Sequence, residues 1–110
     1  MTEEKTWTAL PLARDRMEGR YERPVDEVFQ AAKDVVSAKG VLLKEGVLHD
    51  SANVVKTVQG KVNQCSVWVR VEQIDPKVTS VIVQARGSGG GTDIDLAAQI
   101  DKEIALKLVQ

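Results

Sequence analysis

Three stretches of this 110-residue chain carry side chains of chemically useful types. His49, Asp50 and Ser51 place an imidazole, a carboxylate and a hydroxyl side by side. A hydrolytic triad needs those groups to converge from separate elements, with the nucleophile on a strained turn, and no G-x-S-x-G occurs here. As neighbours in a polar stretch the three read as loop residues that hydrogen-bond locally. A single histidine without partners at ligand spacing predicts no metal site. Cys65 is the only cysteine, which excludes an internal disulfide and a cysteine-based zinc site. It shares the alternation of Val67 and Val69, so it is expected in the core as a small hydrophobe. A nucleophilic role would need a nearby base, and Lys56 on the adjoining strand is the one at hand.

The third stretch, 87–92, is the glycine-rich run GSGGGT leading into a helix. Free backbone N–H groups at Gly89, Gly90, Gly91 and Thr92 make it a candidate anion loop. It lacks the lysine of a phosphate-binding P-loop and the spacing of a dinucleotide fingerprint, and Asp93 and Asp95 oppose a phosphate. The plainer reading is a strand-to-helix joint. No catalytic residue and no cofactor are expected.

The elements that position these residues are organised around 62–87, two strands joined at Asp75-Pro76-Lys77. Val67, Val69 and Val71 alternate with Trp68, Arg70 and Glu72, as Val81, Val83 and Ala85 alternate with Ser80, Ile82 and Gln84. Period-two alternation marks a sheet with one face on a core. A three-residue loop pairs Ile74 with Val78, and so Val71 with Val81, Val69 with Val83 and Val67 with Ala85. A two-residue loop would oppose residues of different faces, so an odd-length turn is expected.

Residues 1–6 read as a frayed terminus and 7–110 as a single domain, since the chain is too short for two cores. An irregular or paired strand ends near Tyr21. Pro24 opens a helix on which Val25, Val28, Phe29, Ala32, Val35 and Val36 form one stripe, and Asp26 and Glu27 meet the positive end of its dipole. Lys39 and Gly40 close it, the glycine accepting a left-handed backbone. Strands follow at 41–47 and 54–58, with a hairpin turn at Gly60-Lys61; their inward parity is not readable. Thr92 is the expected N-cap of a last helix, with Asp95 completing a capping box and Ala97, Ile100, Ile104 and Leu108 buried. The resulting class is α+β: a curled antiparallel sheet of about four to five strands, two helices on one face, in the order β-α-β-β-β-β-α.

On the outward face of the hairpin Trp68, Arg70, Ile74 and Ile82 form a candidate interface, with Val78, Glu72, Gln84 and Arg86 around them. Tryptophan and arginine are frequent interface anchors, and an apolar group on an uncovered face marks a contact surface. A protein partner or a homodimer follows if that face is open. The alternative is that Trp7, Leu10 and Leu12 fold back over it. Fifteen basic against 16 acidic residues give a net charge of -1, so there is no basic excess to neutralise nucleic-acid phosphates. No apolar run reaches membrane-spanning length, and the acidic first residues contain no signal peptide as the chain stands.

From residue 21 onward the motifs YERPVDEVFQAAKDVV, VWVRVEQIDPKVTSVIVQARG, GSGGGTD and IDLAAQIDKEIALKL resemble a family of small bacterial lipoproteins of unknown function. The resemblance implies an uncharacterised envelope domain, periplasmic or outer membrane-associated, tethered by a lipidated cysteine ahead of it; the sequence as given departs from that pattern in showing neither that cysteine nor a signal peptide, and a cytoplasmic location is expected if none was removed. It carries no catalytic residues. The expected function is therefore a non-enzymatic binding or structural domain acting through its sheet face or edge. The alternative is a small-ligand or anion-binding module, or a weak enzyme, built on loop 87–92.

Overall fold

A computed structural model describes residues 16–50 and 53–109. The elements are β1 (Arg16–Tyr21), α1 (Val25–Lys39), β2 (Val41–Asp50), β3 (Asn53–Val62), β4 (Cys65–Asp75), β5 (Val78–Arg86) and α2 (Ile94–Leu108). They build one open antiparallel sheet in the order β1-β5-β4-β3-β2, with both helices on one face. The class and element order are those expected from the sequence. Strands β2 to β5 form a meander, and α1 carries the chain across it, so β1 and β2 end up on opposite edges.

The valine alternation sets the registers. Val71 pairs with Val81, Val69 with Val83 and Val67 with Ala85, as expected, and Val58 and Val62 of β3 extend the same face. Against it α1 lays Val28, Phe29, Ala32, Val35 and Val36, and α2 lays Ala97, Ile100 and Ile104. Each fully buried valine contributes on the order of 1.5–3 kcal/mol, so these rows are the main source of stability.

Local expectations fail where the backbone makes special demands. The β4–β5 loop contains two residues, Pro76 and Lys77, closing the pair Asp75–Val78, and a bulge between Gln73 and Asp75 absorbs Ile74. The extra residue sits in the ladder instead of the loop, which restores the parity that the valines require. Asp75 Oδ1 accepts from the Lys77 N–H at 2.8 Å and shapes the turn. The β3–β4 turn is at Asn63-Gln64, with φ of 53° and 69°, and Gly60-Lys61 lie within β3. Gly60 is a close-approach residue: a Cβ there would stand 2.5 Å from a Val36 methyl of α1 and from the Val41 carbonyl. Gly40 ends α1 with φ of -166°, extended and not left-handed. Its role is also space, because a Cβ would meet the Lys61 carbonyl at 2.0 Å. The N-cap of α2 is Asp93 and not Thr92; its Oδ1 accepts from the Leu96 N–H at 3.0 Å.

Polar ties fasten β1 to α2. The Tyr21 hydroxyl donates to Asp101 Oδ1 at 2.8 Å, with Asp101 fully buried. Burial first, then the Asp101 charge and the hydrogen bond to it, push the Tyr21 phenol far above its ordinary range. Beside it Arg23 donates to the Leu108 carbonyl at 3.1 Å, and buried Thr79 donates to the Arg23 carbonyl at 2.7 Å.

Candidate functional site: the open side and edges of the sheet

Opposite the helices, antiparallel register arranges the outward residues in rows. One row runs Arg16–Gln84–Trp68–Gln59–Lys44, the next Glu18–Ile82–Arg70–Thr57, and the third Arg20–Ser80–Glu72–Val55. Trp68, Arg70 and Ile82 of the candidate interface thus fall in adjacent rows. Ile74 does not join them in the ladder, because it is the bulged residue. Arg70, 51% exposed on its side chain, pairs with Glu72 at 3.5 Å.

The open side is not uniformly bare. Trp68 and Ile82 are only partly exposed, and Val55, in the row of Glu72, is 2% exposed although it is not part of the helix-side core. Trp7, Leu10 and Leu12 lie outside the described residues.

Exposed apolar surface is concentrated instead on the β2 edge. Val41, Leu43 and Val47 are 57%, 58% and 50% exposed, three of the six large exposed hydrophobics among the described residues. Beyond β2 no further described strand pairs with the sheet, so the outer main-chain groups of a ten-residue strand face outward. A bulge between Leu42 and Lys44 divides the strand. It puts Leu42 opposite Gly60 on the helix side, then Glu45 opposite Val58 on that same side, where Glu45 meets Lys33 at 3.4 Å. The other edge, β1, is six residues long and offers Glu18 and Arg20 to its outward face. The sequence reading named an edge as well as the face, but its candidate residues lie on the β4–β5 hairpin and none on β2. The signal available was the apolar run of Val41, Leu42 and Leu43, which fits neither face because the bulge falls in it.

The remaining candidates separate. His49 pairs with Val54 and Asp50 with Asn53 in the β2–β3 ladder, so they belong to strands and not to a loop. Ser51 lies outside the described residues. Cys65 is 8% exposed in the helix-side core, as expected. Its neighbour is the Asp93 carboxylate, Sγ to Oδ2 3.8 Å, and not Lys56. Lys56 stands opposite Val71 and bonds Asp26 at 2.7 Å while lying over the Phe29 ring.

Loop 87–92 is tied up by its own hydrogen bonds. The Gly87 N–H donates to the Gly91 carbonyl at 2.7 Å, the Gly90 N–H to the Gly87 carbonyl at 2.9 Å, and Arg86 to the Gly90 carbonyl at 3.3 Å. Thr92 bridges back to Arg86, and the Asp93 carboxylate already occupies the first turn of α2. Of the candidate donors at Gly89, Gly90, Gly91 and Thr92, the Gly90 N–H is thus taken up within the loop, and a carboxylate stands at its exit.

Among the described residues no group of three or more metal-ligating side chains converges, and no helix is long and apolar enough to cross a membrane. Two open grooves of about 400 and 450 Å³ lie between the helices, with Asp34 and Lys107 common to both. Their walls mix both signs of charge without a convergent polar set. The feature with the clearest chemical use is therefore main chain: donors and acceptors along an apolar edge, suited to adding a strand. No family model matches the chain, and no curated protein matches it in sequence.

Proposed function

We propose that this is a non-enzymatic binding or structural domain that meets a protein partner through its sheet, along the β2 edge. The carrying observation is the exposure of Val41, Leu43 and Val47 on a long strand that is the edge of the sheet among the described residues. Exposed edges of this kind are usually shortened, charged or covered, because they recruit other strands. The resemblance to small bacterial lipoproteins supports a place in the cell envelope, behind a lipid tether.

Both halves have a direct test. A photo-crosslinking residue replacing Val47 in cells should give a protein adduct of defined mass. The same residue at Gln99, exposed on α2, should not. Absence of any adduct at position 47 would remove the edge from the proposal. Fractionation of the full natural gene product checks location: membrane recovery with a lipid-modified mass is expected, and an unmodified cytosolic product sinks the envelope assignment.

A further inference from the structure

We infer that the partner strand is β2 of a second copy, paired antiparallel about a two-fold axis through Val47. This rests on the reading of β2 as the interacting edge. A two-fold axis perpendicular to a sheet leaves every residue on its own face. A residue then pairs across the axis only with one of the same face, so the axis passes through a residue position and not between two. The bulge at Leu43 ends the regular ladder, which leaves 44–50 as the straight length available for pairing.

Val47 is the midpoint of that length, so an axis there engages all seven positions from 44 to 50. It sets Lys44 opposite Asp50, Glu45 opposite His49 and Gly46 opposite Leu48, each twice, with Val47 against its own copy. An axis at Gly46 or at Leu48 engages five of those positions. The first sets Lys44 against Leu48 and Glu45 against Val47, and the second sets Gly46 against Asp50. An axis at Glu45 brings two glutamates together. Length, charge and apolar contact therefore select one register. In that register the half-exposed Val47 is covered by its mate. An isologous strand pair of this kind closes, so it yields a dimer and no fibre.

Sedimentation of the wild-type chain from micromolar to millimolar concentration should show a monomer–dimer equilibrium. Lys44→Asp, which faces Asp50 with a like charge, should weaken it by about tenfold or more. Lys44→Asp combined with Asp50→Lys should restore most of it, a rescue that a merely disruptive substitution cannot give. Val47→Cys should oxidise to a covalent dimer, and Leu43→Cys, whose copies lie far from the axis, should not. The inference is overturned by a strict monomer at millimolar concentration, by a dimer indifferent to Lys44→Asp, or by failure of the double swap to rescue. If the crosslinked adduct at position 47 carries a mass other than this chain's own, the second copy is excluded while the edge reading stands. If there is no adduct at all, both fall.

Discussion

β1 ends one side of the sheet after six residues, and β2 ends the other after ten. The short edge is fastened by polar ties reaching over to α2, Tyr21 to Asp101 and Arg23 to Leu108, with Thr79 of β5 holding the Arg23 carbonyl. The long edge is fastened by closeness, with Gly40 and Gly60 letting the start of β2 and the end of α1 press on β3. Their exteriors differ in the same sense. β1 alternates charged residues with a methionine and a glycine that face the core side, whereas β2 carries three of the exposed large hydrophobics. One edge is short and charged, and the other is long and keeps apolar side chains at the surface. Two ends of one sheet can thus be given different tasks without any change in the core between them.

The largest expected effect strikes how β2 is fastened. Gly40→Ala drives a methyl into the Lys61 carbonyl, so a loss of about 3 kcal/mol in urea unfolding is expected. A cost below 1 kcal/mol would mean that β2 yields easily at that end. Next comes the β1 tie. Tyr21→Phe removes a hydrogen bond to a buried carboxylate and should cost about 1–2 kcal/mol. The tie has a pH signature as well. Because the folded protein raises the Tyr21 phenol, the stability linked to it is whole below the unfolded value of about 10 and declines as pH rises beyond that. Wild type should therefore lose more stability than Tyr21→Phe on going from pH 9 to 11, and equal losses would refute the tie. The smallest effect belongs to the exterior of β2. Val47→Lys should change monomer stability by no more than about 0.5 kcal/mol while abolishing self-association, since the side chain is half exposed. A large destabilisation would move Val47 from the interface to the core.

The legible part of this chain is its strict alternation. Val67, Val69, Val71, Val81, Val83 and Ala85 fixed the β4–β5 register because a one-residue slip would expose all of them. The same parity gathered Trp68, Arg70 and Ile82 outward. What escaped was every place where one residue is spent on geometry. Ile74 and Leu43 each sit in a bulge, so the first hid the true loop length and the second scrambled the parity of β2. Gly60 looked like a turn because glycine serves turns and close approaches alike, and only the position of α1 distinguishes them. Asn63-Gln64 made the actual turn without a glycine. The Tyr21–Asp101 pair left no trace in local pattern, since it joins residues 80 apart.

That separation also orders events in time. The meander from β2 to β5 is built from neighbours in the chain, whereas the Tyr21–Asp101 bond joins β1 to α2 across the whole of it. Contacts closed over so long a loop form late, because the entropy of closure must be met before they stabilise anything. β1, held by β5 and by α2, is therefore expected to be secured after the meander. Until β1 docks, the outer side of β5 is as open as that of β2. A chain whose meander forms first therefore has two open margins, and docking of the short, charged β1 leaves β2 as the apolar one.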